Sequence, residues 1–572
     1  MKHRIAAGTL GTLAVSLLLA YAPMAQAAPA AAKAAVAPAA PATSAPQAKQ
    51  QLQVLADQYY DALARFEPIG AIARAQLSQQ DQINYDILDY ELATALSFER
   101  FPEHLLPLNQ MDSMPVTLAN YAGGEASQPL TSVKQYNAYL SRIGQLPGWI
   151  DQAIANMKVG MQKGIVLPKA LTESALPQFK KLVSATPQDS VYYTPIKKLP
   201  ASFSDADKAR LTQTYTVIIE AKLMPALQRL STFMERDYLP AGRTSSGWSA
   251  LPDGAAWYQA RVASSTTTDL KPEQIHAIGL KEVARIQEQY AIVGPKMGYN
   301  GPAAGLPVWV SQQAKYRPFK TDQEVLDVYR KMNVLLDSKL PALFTLVPKA
   351  PLDLRLEPEL SRDTAADHYT APAADGSRPG VFWSVVTDPK LYGDTGMTTL
   401  FLHEGKPGHH FHLALVQEMD LPNFRRFGGN NAFTEGWALY AETLGKEMGL
   451  FDDPAQYFGH LNDEMLRAVR LVVDTGLHTK GWTREQTIKY MRDTLGYDAV
   501  ARSETERYMA WPGQALGYKI GALKIVELRQ RAQQALGDKF SLPKFHEVVL
   551  GDGTLPLKLL EAKVDRWIAQ QK

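Results

Sequence analysis

Apolar residues recur at intervals of three and four along most of the chain, as in helices that bury one face. The first such stretch is LQVLADQYYDALARF, which begins near Gln51. The stretch 273–293 also has the residues of a helix start, because Pro272 falls in the first turn and Glu273 follows it. The same periodicity predicts further helices at 80–99, 134–158, 207–237, 321–346, 484–496, 515–537 and 556–570.

Strand patterns are few. The best is GVFWSVV, residues 380–386, in which β-branched and aromatic residues follow the turn-like segment DGSRP. No repeat of fixed period is visible. The sequence therefore predicts a mainly α-helical protein with a small sheet.

The first fifty residues differ from the rest of the chain. Lys2 and Arg4 precede an apolar run that ends near Ala20, and a small-residue cleavage pattern follows at 25–27. This order is typical of a secretory signal peptide, so we expect 1–27 to be removed after Ala27. The apolar run is somewhat short for a membrane span. Residues 28–50 are rich in Ala and Pro, which predicts an unstructured tether.

Composition narrows the function classes. The 572 residues carry a formal net charge of +2 and no basic run interleaved with aromatics, so we expect no nucleic-acid partner. The chain has no cysteine, which excludes disulfides and lipid attachment through cysteine. We expect no stable membrane anchor after signal cleavage. The length allows two lobes, which we place at 51–350 and 351–572, or one continuous unit over 51–572.

The chemistry concentrates in TTLFLHEGKPGHHFHLAL, residues 398–415. Six of the chain's eleven histidines fall between positions 403 and 478. His403 and Glu404 are adjacent, and His409, His410 and His412 follow closely. Imidazoles and a carboxylate in a chain without cysteine are what a Zn²⁺ site of His/His/Glu type requires. Solvated or core histidines at a helix kink are the alternative.

The spacing leaves the second ligand open. A zinc helix of the HExxH type needs histidine four positions after His403, where this chain has Pro407. His410 returns to the face of His403 but lies about 10.5 Å further along a straight helix, and His409 is off that face. Pro407 and Gly408 break or kink a helix, so either histidine could turn back towards His403. Glu404, beside a ligand, is the expected general base.

A second segment, NAFTEGWALYAETLGKEMG, reads as a helix with Glu435 and Glu442 on one face, seven residues apart. A carboxylate that faces an apolar core is costly unless it is paired or binds a metal. We therefore expect Glu435 to be the third ligand and Glu442 to orient a ligand. Two surface glutamates are the alternative.

Two later segments add candidates. Asp474 and His478 are four residues apart on a predicted helix, so they could support each other, orient a ligand or contact substrate; a structural pair at a helix end is the alternative. In SETERYMAWPGQALGYKIG, Tyr508 and Tyr518 are candidate donors to an oxyanion. The cationic residues of this segment that could bind a substrate carboxylate are Arg507 and Lys519.

The chain resembles the bacterial domain-of-unknown-function 885 family, which is marked by HExxPGHH followed by EGWALYAE. The matching segments here are, in order, LPDGAAWYQARVASSTTTDL, IHAIGLKEVARI, DGSRPGVFW, HEGKPGHH, EGWALYAE and RYMAWPGQALGYKIG. More distantly it is similar to helical gluzincin peptidases such as the angiotensin-converting-enzyme and oligopeptidase families.

The distant resemblance implies a large bilobed helical fold with a deep cleft and a small sheet beside the metal helix. It implies His403 as first ligand, Glu404 as base, Glu435 as third ligand and GVFWSVV as a strand at the sheet edge. Matching the Gly-His dipeptide favours His409 as second ligand, and Tyr508 would stabilise the transition state. The four-residue gap GKPG, in place of two residues, departs from those peptidases.

The resulting expectation is an exported zinc metallopeptidase that hydrolyses short peptides, with release from the carboxyl end if Lys519 or Arg507 binds a terminal carboxylate. One alternative keeps zinc but hydrolyses an ester, lactone or non-peptide amide. Another is a non-catalytic protein that binds metal or peptide.

Overall fold

The computed structural model describes residues 72–124, 129–359, 362, 365–496 and 498–572, without the side chains of positions 498 and 499. The predicted signal peptide at 1–27, the tether at 28–50 and the helix near Gln51 lie outside the described residues. None of the described helices has the length and apolarity needed to cross a membrane.

The described residues are mainly helical with one small sheet, as the sequence predicts. The α-helices are, in chain order, α1 Gln79–Phe98, α2 Met114–Tyr121, α3 Val133–Lys163, α4 Lys169–Leu182, α5 Thr194–Lys197, α6 Asp205–Ile218, α7 Met224–Phe233, α8 Leu239–Ala241, α9 Gly254–Thr266, α10 Pro272–Met297, α11 Leu306–Gln312, α12 Asp322–Lys339, α13 Met397–Glu404, α14 His409–Glu418, α15 Asn423–Phe427, α16 Asn431–Thr443, α17 Pro454–Thr479, α18 Arg484–Leu495, α19 Asp498–Ala510, α20 Leu516–Leu536, α21 Leu542–Leu550 and α22 Leu557–Gln571.

Most predicted helices lie within a few residues of their expected positions, and side-chain caps fix the starts of several of them. Ser132, Thr321 and Thr483 each cap a helix whose third residue reaches back to the cap backbone. The predicted helix 207–237 is instead interrupted by two π-helical turns. Each is followed by a residue pair that ends in proline, Met224-Pro225 and Leu239-Pro240. Proline has no N–H to donate, so the regular ladder cannot continue through it.

The sheet has three strands, β1 Leu352–Leu356, β2 His368–Thr370 and β3 Gly380–Ser384, in the order β1-β3-β2. β3 runs parallel to β1 and antiparallel to β2. The strand predicted as GVFWSVV exists, but its expected place at the sheet edge is wrong, because β3 is central. The short β2 is an edge strand that no periodic pattern reveals.

Two hydrophobic cores hold the helices, and both halves of the chain contribute to each. The long helices α10 and α17 pack against each other at Gly279, where a Cβ would lie 2.7 Å from Leu471 Cβ. Helices α16 and α20 cross closely at Gly436 and Gly521, since a Cβ on Gly436 would lie 2.6 Å from the Gly521 Cα. This second crossing brings the predicted Glu435 helix against the helix of Tyr518.

Candidate metal centre

The chain breaks its helix between Glu404 and His409. Helix α13 ends at Glu404 and α14 begins at His409, so the four residues GKPG form a reversal. A Cβ on Gly408 would lie 1.9 Å from the carbonyl oxygen of His403, so only glycine allows this approach. The indole of Trp437 on α16 donates to the Pro407 carbonyl at 2.9 Å. The predicted kink is therefore a turn fixed by α16.

Helix α16 presents both of its glutamates to His403. Asn430 caps the helix by accepting from Phe433 N at 2.8 Å. Glu442 Oε1 lies 2.8 Å from His403 Nδ1, and Glu435 Oε2 lies 3.4 Å from His403 Nε2. The two carboxylates thus flank one imidazole.

The structure brings His403, His409 and Glu435, here called the ligand trio, together. His409 Nε2 lies 3.5 Å from Glu435 Oε2, close to the 3.4 Å that separates His403 Nε2 from the same oxygen. Two donors about 2.0–2.1 Å from a tetrahedral zinc lie about 3.3 Å apart. His403 Nε2 and both Glu435 oxygens are buried without a hydrogen-bond partner among the described residues. The trio therefore fits zinc in donor type, spacing and unmet bonding capacity.

The electrostatics of the trio favour a positive charge between its members. Burial would lower the pKa of His403, but the carboxylates of Glu435 and Glu442 raise it to about 9. Burial would raise the pKa of Glu435, yet His409 and His403 hold it well below its usual range. A cation bound between an ionised Glu435 and the two imidazoles would meet this demand.

His410 and His412 are not members of the trio. The Nδ1 of His410 lies 2.9 Å from the Tyr369 hydroxyl, and burial lowers the pKa of His410 to about 3. His412 Nε2 lies 2.9 Å from Thr554 Oγ1. The spacing in the sequence does not decide between His409 and His410 as the second ligand. In the structure α14 begins at His409, which lies at the trio, and His410 contacts the sheet instead.

Glu404 lies beside the trio. Its Oε2 is 4.0 Å from His409 Nε2, and its side chain is 3% exposed. Burial raises the pKa of Glu404, while His409, His403 and His368 act in the opposite direction. His368 begins the edge strand β2, whose next residue, Tyr369, contacts His410 beside the trio. The arrangement suits a carboxylate that exchanges a proton with a molecule held at the trio.

Glu442 is itself held from behind by helix α17. Arg467 Nη2 lies 3.4 Å from Glu442 Oε1, and His460 Nδ1 lies 3.8 Å from Glu442 Oε2. Arg467 also donates to the Asp463 carbonyl at 2.8 Å. Such support fixes the ring orientation of His403, since Nδ1–H donates to Glu442 and leaves Nε2 for a metal.

The two candidate tyrosines have different partners. Tyr508 donates to Glu504 and accepts from Arg470 Nε at 3.2 Å, so its hydroxyl is occupied. Tyr518 accepts from Arg507 at 3.3 Å. Burial and then the charge of Glu435 raise the pKa of Tyr518. Of the two tyrosines, Tyr518 is the one for which an electrostatic effect of the trio is resolved.

The remaining predicted contacts are engaged within the protein. Lys519 Nζ lies 2.6 Å from Glu464 and 2.9 Å from Glu282, which neutralises its charge. Arg507 pairs with Glu504 at 3.2 Å.

Asp474 and His478 do not bond to each other. Asp474 accepts from Tyr258 at 2.6 Å and from the Gly513 backbone at 3.0 Å. His478 Nδ1 accepts from the Trp248 backbone at 3.0 Å, and Nε2 donates to the Tyr508 carbonyl at 3.0 Å. Both ring nitrogens of His478 are thus bound to backbone groups, and neither residue contacts the ligand trio among the described residues.

Sequence reasoning missed the polar face of α17. Histidine, aspartate and arginine residues recur every three or four positions along this helix, and all of them but Asp463 are buried. That spacing is visible in the sequence and predicts one charged stripe inside the core. The stripe consists of His460, Asp463, Arg467, Arg470, Asp474 and His478.

Comparisons with known proteins place the chain in a family. The family model described as "Bacterial protein of unknown function (DUF885)" matches residues 24–564. No curated protein matches the chain. A solved "putative lipoprotein" from Colwellia psychrerythraea is 30% identical, with a TM-score of 0.82 over 91% of this chain and 100% of that one. A second solved structure, from Shewanella oneidensis, is 20% identical with a TM-score of 0.67 over 90% of this chain and 92% of its own, and shares the fold. The chain belongs to the DUF885 family of bacterial proteins.

Proposed function

We propose that this chain is an exported zinc-dependent peptidase that acts on short peptides. The observation that carries the proposal is the ligand trio, whose donor atoms lie 3.4 and 3.5 Å apart with the Glu404 carboxylate 4.0 Å from one of them. A buried His/His/Glu set with an adjacent carboxylate is the arrangement that zinc hydrolases use.

The residues of the centre divide the work. His403, His409 and Glu435 would hold the zinc ion, which would supply Lewis-acid polarisation of a carbonyl and make a water molecule more acidic. Glu404 would accept the proton of the attacking water and pass it to the leaving amine. Glu442 holds His403 in the orientation that points Nε2 at Glu435.

Tyr518 is the proposed donor to the oxyanion. Its hydroxyl accepts from Arg507, and among the described residues its own O–H has no acceptor. Its helix crosses α16 at Gly436, next to Glu435, and burial and then the charge of Glu435 raise the pKa of Tyr518. A preorganised donor of this kind acts where negative charge develops in the transition state.

The edge strand β2 supports a peptide substrate. His368 lies close enough to Glu404 to act on its pKa, so the strand runs beside the base. β2 pairs with β3 on one side only. An extended peptide could add to its other side through backbone hydrogen bonds.

Two further observations support export. Lys2 and Arg4, the apolar run and the cleavage pattern at 25–27 follow one another in the order typical of a signal peptide. Two structural relatives are described as putative lipoproteins. This chain has no cysteine for lipid attachment, so we propose release as a processed protein.

The test is zinc content combined with turnover of short peptides. We expect about one zinc per chain, lost in His403→Ala and kept in Glu404→Gln, which should lose about 10²-fold or more in kcat. His104→Ala, at an exposed histidine, is the matched control and should keep both zinc and turnover. A chain that holds no stoichiometric zinc under zinc-replete conditions would refute the proposal. Turnover of simple esters but of no peptide would refute the peptidase assignment.

A further inference from the structure

Two buried arginines share one carboxylate beside the candidate metal centre. Arg470 binds Glu504 Oε2 through Nη2 at 2.8 Å and through Nε at 3.2 Å. Arg507 binds Glu504 Oε1 through Nη1 at 3.2 Å. The other partners of the two guanidinium groups are neutral: Tyr508, Gln514 and Tyr518. The cluster therefore holds two cations against one paired anion.

Part of this hydrogen-bonding capacity is unused. Arg470 Nη1 and Arg507 Nε are buried and have no partner among the described residues. The Arg470 side chain is fully buried, whereas Arg507 and Glu504 keep 8% and 7% exposure. A buried cation without a full counter-charge is costly, so a ligand that supplies the missing charge would be stabilised here.

Asp474 is a further carboxyl near this cluster, and it is a partial counter-charge. It lies close enough to Arg507 for that cation to lower its pKa, but burial raises the pKa of Asp474 to about 7 overall. Its oxygens are already bound by Tyr258 and Gly513. Asp474 leaves the unpaired Arg470 Nη1 unsatisfied.

The excess charge adjoins the metal centre through one aromatic ring. Arg470 Cζ lies 4.7 Å from the centroid of the Tyr518 ring, and Arg507 Cζ lies 6.0 Å from it. Tyr518 lies one turn before Gly521, which crosses Gly436 next to Glu435. Tyr518 therefore packs against the guanidinium of Arg470, and the charge of Glu435, a member of the ligand trio, also acts on Tyr518.

We propose that Arg470, assisted by Arg507, binds a carboxylate of the substrate, so that the substrates are peptides whose free α-carboxylate lies just beyond the scissile bond. This inference rests on the proposed peptidase function. A planar guanidinium pairs with a carboxylate through two parallel hydrogen bonds. The cluster lacks about one negative charge, which a monoanionic carboxylate supplies. An acidic side chain of a peptide would offer the same chemistry, and the test separates the two sources.

The first arm of the test uses the zinc-loaded chain and requires no variant. We expect kcat/KM for trialanine to exceed that for trialanine amide by at least about thirtyfold, since a buried ion pair left without one partner costs at least about 2 kcal/mol. Equal values for acid and amide would overturn the inference while leaving the peptidase assignment intact. If Ala-Ala-Glu amide recovers the rate of trialanine, the carboxylate comes from a side chain and the α-carboxylate assignment is wrong.

The second arm locates the site. In Arg470→Gln, the ratio of kcat/KM for trialanine to kcat/KM for trialanine amide should fall towards one. Arg470→Lys should keep part of this ratio, because lysine keeps the positive charge but cannot form two parallel hydrogen bonds. Arg229→Gln, at an exposed arginine paired with Asp151, is the matched control and should keep the full ratio. An undiminished ratio in Arg470→Gln would overturn the assignment of this residue.

The third arm separates binding from turnover. Acetylalanine should raise the Tm of the zinc-loaded Glu404→Gln variant, and acetylalanine amide should not. The shift should disappear when Arg470→Gln is added. A carboxylate-dependent shift with no peptide turnover in the unmodified chain would leave the carboxylate site standing and refute the proposed function. No difference between acid and amide would overturn the inference.

Discussion

His403 Nδ1 lies 2.8 Å from Glu442 Oε1 at the end of α13. The carboxylate can only accept, so the imidazole donates from Nδ1 and its Nε2 is left to face Glu435. Arg467 and His460 hold Glu442 from α17. Three helices thus fix the direction of one ring nitrogen.

Glu442→Gln tests this support. The amide keeps the shape but loses the charge that stabilises the Nδ1–H donor, so we expect zinc affinity to fall about 10–100-fold. Competition with a chromogenic chelator measures the Kd. Glu447→Gln is the control, because Glu447 pairs with Arg529 at the surface and should leave the Kd unchanged. An unaltered Kd in Glu442→Gln would contradict the orienting role.

The two tyrosines separate catalysis from stability. Tyr518→Phe should lower kcat about 10²–10³-fold with little change in KM, because it removes a donor to the developing oxyanion. Tyr508→Phe should lower Tm instead, since it removes a buried donor to Glu504. Steady-state kinetics and thermal unfolding of both variants measure the two effects. If Tyr508→Phe caused the larger loss of kcat, the assignment would be reversed.

Local patterns in the sequence predict most of the helices. Periodicity and caps are properties of neighbouring residues, so α1, α3 and α10 appear close to their expected positions. The break at GKPG is also local, because Pro407 and Gly408 cannot continue a helix in this geometry.

Contacts between segments that are distant in the sequence could not be predicted from it. β3 is central because the short strands β1 and β2 pair with it on its two sides. Neither β1 nor β2 has an alternation of apolar and polar residues long enough to predict a strand. The helix of Tyr518 packs against the helix of Glu435 because α16 and α20 cross at two glycines. An isolated glycine in the sequence does not predict which helix will pack against it.

Gly521→Ala tests that crossing. A Cβ there would lie 1.8 Å from the Ala432 carbonyl oxygen, so the helices must separate, at a cost of about 1–3 kcal/mol or more in the free energy of unfolding. Gly148→Ala is the matched control. Its Cβ meets nothing within 4 Å in α3, so it should stabilise by about 0.5–1 kcal/mol. Urea unfolding of both variants measures their free energies of unfolding, which should change in opposite directions. Equal midpoints for Gly521→Ala and the parent chain would contradict the close packing.

Asp474 predicts a pH dependence of stability. Burial raises its pKa from 3.8 to about 7 in the folded protein, so the folded state binds this proton more tightly than the unfolded chain does. The stabilisation is complete below the unfolded value and is lost as the pH rises through the folded one. Asn cannot ionise, and its carbonyl can still accept from Tyr258 and Gly513.

The difference in Tm, Asp474→Asn minus parent, should therefore increase between about pH 4 and about pH 7 and then level off. Thermal unfolding in a chelator removes any contribution from metal loss at low pH. Asp151→Asn, at an exposed carboxylate, is the control and should show no such trend. A difference in Tm that falls with pH would mean that Asp474 is stabilised as the anion, with Arg507 as its counter-charge. The excess of positive charge at Arg470 would then be smaller than a count of two arginines and one glutamate, Glu504, gives.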